Sequence, residues 1–290
     1  MDATTGSRTA VLVCQGRAVA HGRIAPGRFD DPTAEKLLLK DELDGVEEVR
    51  SGVPPQGWTP RMRFERLRAT AEIMVPRTVA IDDAIRAATN PQAVILGAGL
   101  DGRAWRMPEL ADVTVFEVDH PASQRSKRER AAGLPPANGS VTFVPVDFTT
   151  DSLAARLEEA GHRDDRPTTW VWEGVVPYLR RGEVAATVET IAARSAPGSR
   201  LLINYQAPTP ATTITRVLSV VTGPLSGRSA PMKQEPWRST WTPASMRELL
   251  GRHGFTVTSD NDLLELAREL GVNARSRRAL RSGRVLVAER

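Results

Sequence analysis

The amino-acid sequence predicts an α/β fold with seven strands in a mostly parallel sheet, and three observations carry that reading. Helical and extended patterns alternate through the last two thirds of the chain. The extended stretches are short, apolar and rich in β-branched residues, as strands covered on both faces are. Between the first five of them lie helical or short crossover segments, the mark of right-handed βαβ units. The strands are expected at 93–96, 113–118, 141–146, 168–172, 200–205, 255–259 and 284–288.

Other elements frame this sheet. Residues 1–90 read as a helical cap: Asp31-Pro32 opens one helix that runs towards Glu48, and 64–88 supplies one or two more, ending at Asn90-Pro91. The first five strands occupy 91–206. From 207 to 243 the pattern breaks, with Pro208, Pro210, Pro224, Pro231 and Pro236 punctuating apolar stretches that include Trp237 and Trp241. An insertion of this length after a core strand reads as a lid. The last two strands fill 244–290. No internal repeat and no composition shift marks a second unit, so the 290 residues read as a single domain.

Composition narrows the function. Apolar residues make up 40% and charged residues 26%, as in ordinary globular chains. Thirty-nine basic against thirty-five acidic residues leave +4, but 35 of the basic residues are Arg and only four are Lys. They are interspersed with acids through most of the chain, a compositional bias rather than a phosphate-binding stripe, so nucleic acid is not an expected partner. The Arg275, Arg277, Arg278, Arg281 and Arg284 cluster reads as a solvated face. A single cysteine, Cys14, makes neither an internal disulfide nor a multi-cysteine zinc site and is expected to pack as a small hydrophobe. No signal-like N-terminus and no run of about 18 apolar residues is present, so the expectation is a cytoplasmic protein without a membrane partner.

The chemistry is concentrated at strand ends. Gly97-Ala98-Gly99-Leu100-Asp101-Gly102 directly follows the first strand and formally matches the glycine pattern through which backbone approaches a cofactor. The next strand ends in Glu117-Val118-Asp119, about 20 residues on, where an acid binds ribose hydroxyls. Together they indicate an adenosine-type cofactor. A nicotinamide dinucleotide is the alternative, but it needs pyrophosphate at a helix N-terminus, and the crossover here is short and broken by Pro108. About ninety residues also precede the loop, whereas dinucleotide folds commonly begin with it. S-adenosylmethionine carries ribose and adenine without phosphate and suits the loop better, its sulfonium held by carboxylates or aromatic faces.

The third strand ends in Val146-Asp147-Phe148, and its acid is placed to receive an adenine amino group; Asp151 is the better candidate to cap the following helix. The fourth ends in Glu173-Gly174, followed by Pro177-Tyr178-Leu179, and a carboxylate with an aromatic after an apolar strand reads as site rather than core.

These residues, taken in order, resemble the leucine carboxyl methyltransferase family, in particular its bacterial branch of S-adenosylmethionine-dependent methyltransferases. The resemblance runs from about Ser7 to Arg200. It is carried by Arg77-Thr78 with Asp82-Asp83, Gln92 through Asp101, Arg103-Ala104-Trp105-Arg106, Phe116 through Pro121 with Lys127, and Pro167 through Glu173-Gly174 to Tyr178-Leu179. The opening Ser7-Arg8-Thr9-Ala10 and Phe29-Asp30-Asp31-Pro32 are similar to that branch as well. It implies a Rossmann-like class I methyltransferase fold whose seventh strand is antiparallel. It also implies roles: Arg77 on the methionine carboxylate, Gly97 and Gly99 beneath the cofactor, Asp119 on the ribose, Asp147 and Phe148 around the adenine, Glu173 near the methionine amino end and Tyr178 facing the acceptor. Gly102 departs from the family, where Thr is common, and is expected to loosen the loop without removing a ligand.

Methyl transfer is an in-line displacement that asks the protein to align the acceptor and exclude water, and it requires no metal. A carboxylate acceptor is already ionised at neutral pH and needs no base, which agrees with the lack of an obvious catalytic pair; a phenol or other hydroxyl acceptor would want one. Among the histidines, His120 lies beside the cofactor loop, His253 in a helix-to-strand turn, and His21 and His162 are expected at the surface. Trp58, Trp237 and Trp241 are candidates to line an apolar pocket for a small-molecule acceptor, or else pack in the core or lid. A non-catalytic S-adenosylmethionine-binding protein on the same fold is the remaining alternative.

Overall fold

Apolar runs buried on both faces form the centre of the molecule. The computed structural model describes residues 7–87, 90–148, 150–208 and 238–290. Strands β1 (Gln92–Leu96), β2 (Thr114–Asp119), β3 (Ser140–Pro145), β4 (Thr168–Trp172), β5 (Arg200–Gln206), β6 (Thr256–Asp262) and β7 (Gly283–Glu289) form one sheet in the order β3-β2-β1-β4-β5-β7-β6. Strands β1 to β5 pair in parallel, and β7 is antiparallel to both β5 and β6. All seven lie where the sequence predicts them, with ends shifted by three residues or fewer. The lid segment predicted at 207–243 falls largely on 209–237, which with Trp237 lies outside the described residues.

Alternation along the central strands feeds two separate cores. Val94, Leu96, Trp170, Trp172, Leu201 and Ile203 pack against α6 (Leu153–Glu159), α7 (Arg181–Ala193) and α8 (Pro243–Arg252). Ala93, Ile95, Val115, Val171 and Leu202 face the other way, onto Ile81 and Ile85 of α3 (Trp58–Arg86) and Leu263, Leu264 and Ala267 of α9 (Leu263–Glu269). One position on β2 breaks the apolar pattern: Glu117 is fully buried and meets Lys127 Nζ at 2.5 Å from α5 (Pro121–Ala131).

A third core holds the cap. α1 (Arg8–Ala20), α2 (Lys40–Ser51) and the first half of α3 bury Cys14, Ala18, Val46, Phe64, Leu67 and Ala71 together. α3 runs unbroken through Pro76, so its N-terminal half belongs to the cap and its C-terminal half to the sheet. The helix expected to start at Asp31-Pro32 begins instead at Lys40. The Asp31 carboxylate is buried, pairs with Arg17 Nε at 3.1 Å and accepts from Thr33 Oγ1 at 2.6 Å and Ala34 N at 3.1 Å, which holds a tight turn in place of a long helix. Ser152, not Asp151, caps α6, because Asp151 accepts the Asp147 N–H instead. His162 is buried rather than exposed, its ring 5.5 Å from that of Phe116 and 5.3 Å from that of Trp170.

Gly102 corrects another expectation. Its φ of −106° is open to any residue, so space rather than conformation demands glycine. A Cβ there would overlap Thr33 Oγ1 and lie 3.1 Å from Thr33 Cβ. The missing side chain therefore lets the cap turn seat its own hydroxyl on the loop, and the junction is tight rather than loose.

Crowding at one shared point predicts non-additive energetics. Gly102→Ala should destabilise by about 1–3 kcal/mol as an overpacking change, and Thr33→Ala by about 1 kcal/mol through loss of the bond to Asp31. The double variant should lose clearly less than the sum in urea unfolding. Additive losses would show that Thr33 does not press on position 102.

Candidate functional site

The parallel strands deliver their C-terminal ends to one edge of the sheet, and the order reverses between β1 and β4, the point where open α/β sheets form a ligand crevice. A cavity of about 360 Å³ occupies that crevice. Arg77, Gly97, Gly99, Asp119, Asp147, Phe148, Glu173 and Tyr178, all named from the sequence, line it together.

Its floor is the loop after β1. Gly97 N and Ala98 N both donate to Val118 O, at 2.8 and 3.0 Å, which folds the loop over the end of β2. Gly97 and Gly99 have φ of 66° and 48°, the left-handed region that other residues enter at a cost. A Cβ at Gly97 would overlap Val175, and one at Gly99 would stand 2.9 Å from Ala10 Cβ of α1. Both glycines keep the cradle open between its walls. The helix that follows the loop, α4 (Arg103–Arg106), is a single turn, too short to offer a pyrophosphate the dipole that a dinucleotide site uses.

Asp119 ends β2 with its carboxylate fixed from two sides, Oδ2 accepting from Gly99 N and Oδ1 from His120 N, each at 2.6 Å. Burial, the strongest influence, raises its pKa, and those two hydrogen bonds offset only part of the effect. Lone pairs remain on both oxygens for hydroxyl donors. Across the mouth, Asp147 donates its N–H to Asp151 Oδ2 at 2.9 Å, and Phe148 stands 53% exposed beside it. His120 lines the same rim.

The opposite end is built from ion pairs. Arg77, carried by α3, donates from Nε to Glu173 Oε1 at 2.6 Å, and Arg103 Nη1 lies 2.8 Å from Glu173 Oε2. Arg103 also donates to Asp82 Oδ1 at 2.7 Å and pairs with Asp101; Arg106 pairs with Asp82 at 2.7 Å; and Arg17 pairs with Asp31 while donating to Leu100 O. The four arginines and four acids balance in charge, and all eight side chains are at most 9% exposed. For Glu173 burial acts most strongly and upward, yet Arg103 and then Arg77 outweigh it and hold the carboxyl at about 2. Burial likewise acts upward on Asp101, and Arg103 and Arg17 bring it well below the usual carboxylate range. Tyr178 closes a short turn after Glu173 and is half-buried.

Several lining residues escaped the sequence reading. Ser7, Thr9, Ala10, Val13 and Arg17 make α1 one wall of the cavity, and Asp101 and Val175 contribute from the loops. The signal for α1 was its Ser7 cap, whose side chain accepts the Ala10 N–H at 3.3 Å; a buried arginine within a helix carries no such mark. Neither of the two described candidate tryptophans lines the cavity: Trp58 is 81% exposed at the start of α3, and Trp241 packs in the core under the Arg181 guanidinium. His21 and His253 lie elsewhere, and His162, lowered to about 4 by burial and by Arg194, is a core residue. Among the described residues no three or more His, Cys, Asp or Glu gather as a metal site, and no helix is long and apolar enough to cross a membrane.

Comparison with known proteins agrees with this architecture. Residues 10–192 match the family described as leucine carboxyl methyltransferase. A Mycolicibacterium gilvum (strain PYR-GCK) protein named as an S-adenosyl-L-methionine-dependent methyltransferase is 36% identical over 208 residues, covering 70% of this chain and 67% of its own. One of the same name from Mycobacterium sp. (strain JLS) is 30% identical over 279 residues, covering 95% and 86%. Among solved structures, a Thermobifida fusca YX protein named as a methyltransferase superposes with a TM-score of 0.51 at 16% identity, over 100% of this chain and 96% of that one, which supports the fold.

The charge balance around Glu173 gives a pH signature. Glu173→Gln leaves Arg77 and Arg103 short of a buried partner and should cost about 3–5 kcal/mol at pH 7. Because the folded carboxyl titrates near 2, below its unfolded value, the stabilisation is complete above about pH 4.5 and is lost as pH falls towards 2. Denaturant unfolding across pH 2 to 7 should show the wild-type advantage shrinking over that interval, and an advantage independent of pH would contradict the pairing.

Proposed function

The chain belongs to the leucine carboxyl methyltransferase family, and from that premise we propose that it methylates a carboxylate oxygen of a small-molecule acceptor. It is an S-adenosylmethionine-dependent methyltransferase. The cavity suits that cofactor: glycine cradles that a Cβ would fill, an acid at the β2 tip with acceptor capacity to spare, and an arginine beside a carboxylate.

Arg77 would take the methionine carboxylate with its planar fork, and Glu173 the ammonium. These two already pair, so accepting a zwitterion exchanges one set of opposite charges for another and adds no net buried charge. Asp119 would accept the ribose hydroxyls, Asp147 the adenine amino group, and Phe148 the adenine face, with Gly97 and Gly99 beneath. When bound, the cofactor supplies a methyl group already activated by positive sulfur. Tyr178 would contact the acceptor and help keep water away from it.

The observation that carries the carboxylate reading is the commitment of the ionisable groups among the described residues. All four histidines are described, and only His120 reaches the cavity, at the rim near Asp147, where its Nδ1 already accepts the Ala122 N–H. Glu173 and Asp101, at the other end, are held ionised by arginines and make poor proton acceptors. A carboxylic acid arrives ionised, and a phenol with a reference pKa of about 10 does not. A cytoplasmic setting suits a chain whose one cysteine, Cys14, is buried.

Two measurements test this reading. Asp119→Ala should weaken S-adenosylhomocysteine binding in calorimetry by about 1.5–3 kcal/mol, the range of a charged hydrogen bond, and Arg77→Ala should act likewise; unchanged dissociation constants would remove those assignments. With methyl-labelled cofactor and a panel of carboxylic acids and phenols, label should enter the acids. kcat/KM for an acid should stay flat from pH 6 to 9, and a preference for phenols with rates rising alongside phenol ionisation would overturn the carboxylate reading.

A further inference from the structure

The first turn of α5 carries a buried hydroxyl that bonds to no other described residue. Ser123 is only 6% exposed, and its side chain is left without a hydrogen bond. Other helical hydroxyls here behave differently: Thr70, Thr187 and Thr190 each donate to the carbonyl four residues earlier, at 2.9 to 3.0 Å. For Ser123 that carbonyl is Asp119 O, which already accepts the Val146 N–H at 2.9 Å.

Capping does not engage Ser123 either. In a capping box the third helical residue is Glu or Gln, and its side chain takes the N-cap N–H. Here that donor, His120 N, goes to Asp119 Oδ1 at 2.6 Å, and the His120 ring accepts the Ala122 N–H. Ser123 stands at the third position with no task inside the helix. A hydroxyl taken out of water without a partner is a net cost to the fold.

What Ser123 borders is the cavity, on the same side as Asp119 and Gly99. Ser123 and Gly99 also share a small recess of about 10 Å³ against Ser7 and Ala10. The hydroxyl therefore lies by the glycine whose N–H fixes Asp119 Oδ2. An ionised carboxylate accepts and never donates, so a sugar hydroxyl that donates to Asp119 keeps lone pairs on its own oxygen. Ser123 is a neighbouring donor for one of them.

We propose that Ser123 is a further cofactor-binding residue: its hydroxyl donates to one of the two vicinal ribose oxygens while Asp119 accepts from the same sugar. This rests on the placement of the ribose at Asp119 given above. The side chain is then satisfied only when ligand is bound, and a sugar lacking that oxygen forfeits the contact.

The probes are S-adenosylhomocysteine and its 2′-deoxy and 3′-deoxy forms, titrated calorimetrically into the full chain. Ser123→Ala places the best helix former in a helix and removes a hydroxyl without a partner, so without ligand it should melt no lower than the wild type. It should bind S-adenosylhomocysteine about fivefold more weakly. With at least one deoxy probe the two proteins should bind alike, because the atom that Ser123 meets is gone. A hydroxyl kept for structure would instead lower the melting point and leave affinity unchanged, which overturns the proposal. The same fivefold loss on both deoxy probes would overturn it too, since the effect would not pass through a ribose oxygen. Asp119→Ala in the same series separates the two readings: if it also leaves affinity unchanged, the ribose placement fails, and if it alone weakens binding, only the Ser123 contact falls.

Discussion

Burying the Arg103 guanidinium dictates much of what surrounds it. Its side chain is 1% exposed, and an ion removed from water that far carries a desolvation cost of several kcal/mol unless partners stand close on every side. Asp82 comes from α3, Asp101 from the loop after β1 and Glu173 from the end of β4. Three elements distant in sequence thereby converge on one cation. Arg77, Arg106 and Arg17 extend the network until its charges cancel. The cavity is what remains on the open side of this cluster.

The two ends of the cavity obtain rigidity by different means. At the β2 end, backbone donors do it: Gly99 and His120 hold Asp119, and the same Gly99 needs a left-handed φ to present its N–H while leaving room for Ala10. At the β4 end, side chains hold side chains, and removing one charge strands another. A ligand with hydroxyls at one end and opposite charges at the other fits this division.

Much of this was legible in the sequence because strand chemistry is local. An apolar run followed by an acid says both that a strand ends and that a polar group emerges where parallel sheets bind ligands, so Asp119, Asp147 and Glu173 could be named without knowing their neighbours. The misreadings share the opposite property. Asp31-Pro32 has the form of a helix start, and only a buried Arg17, on another helix, turns its carboxylate into half of an ion pair. His162 follows Gly161 in a polar stretch and looks exposed until Phe116 and Trp170 close over it. Gly102 looked like a loosened loop because the atom that fills its space belongs to Thr33. Charged residues in a helix read as solvated by default, which hid Arg17 as a wall of the site.

Arg17 also ties the two sides of the cavity together. Its guanidinium donates to Leu100 O in the loop after β1 while its own helix, α1, supplies Ser7, Thr9, Ala10 and Val13 to the facing wall. The cap therefore does not rest on the sheet through apolar contact alone. It is bonded to the same six-residue stretch that carries Gly97 and Gly99, and Thr33 fastens it again at Gly102. Any shift of α1 would drag on Leu100 and, through the Gly99 N–H, on the acid at the β2 tip. Changes on the α1 wall and the hold on Asp119 are thus mechanically linked through three consecutive loop positions, Gly99, Leu100 and Asp101.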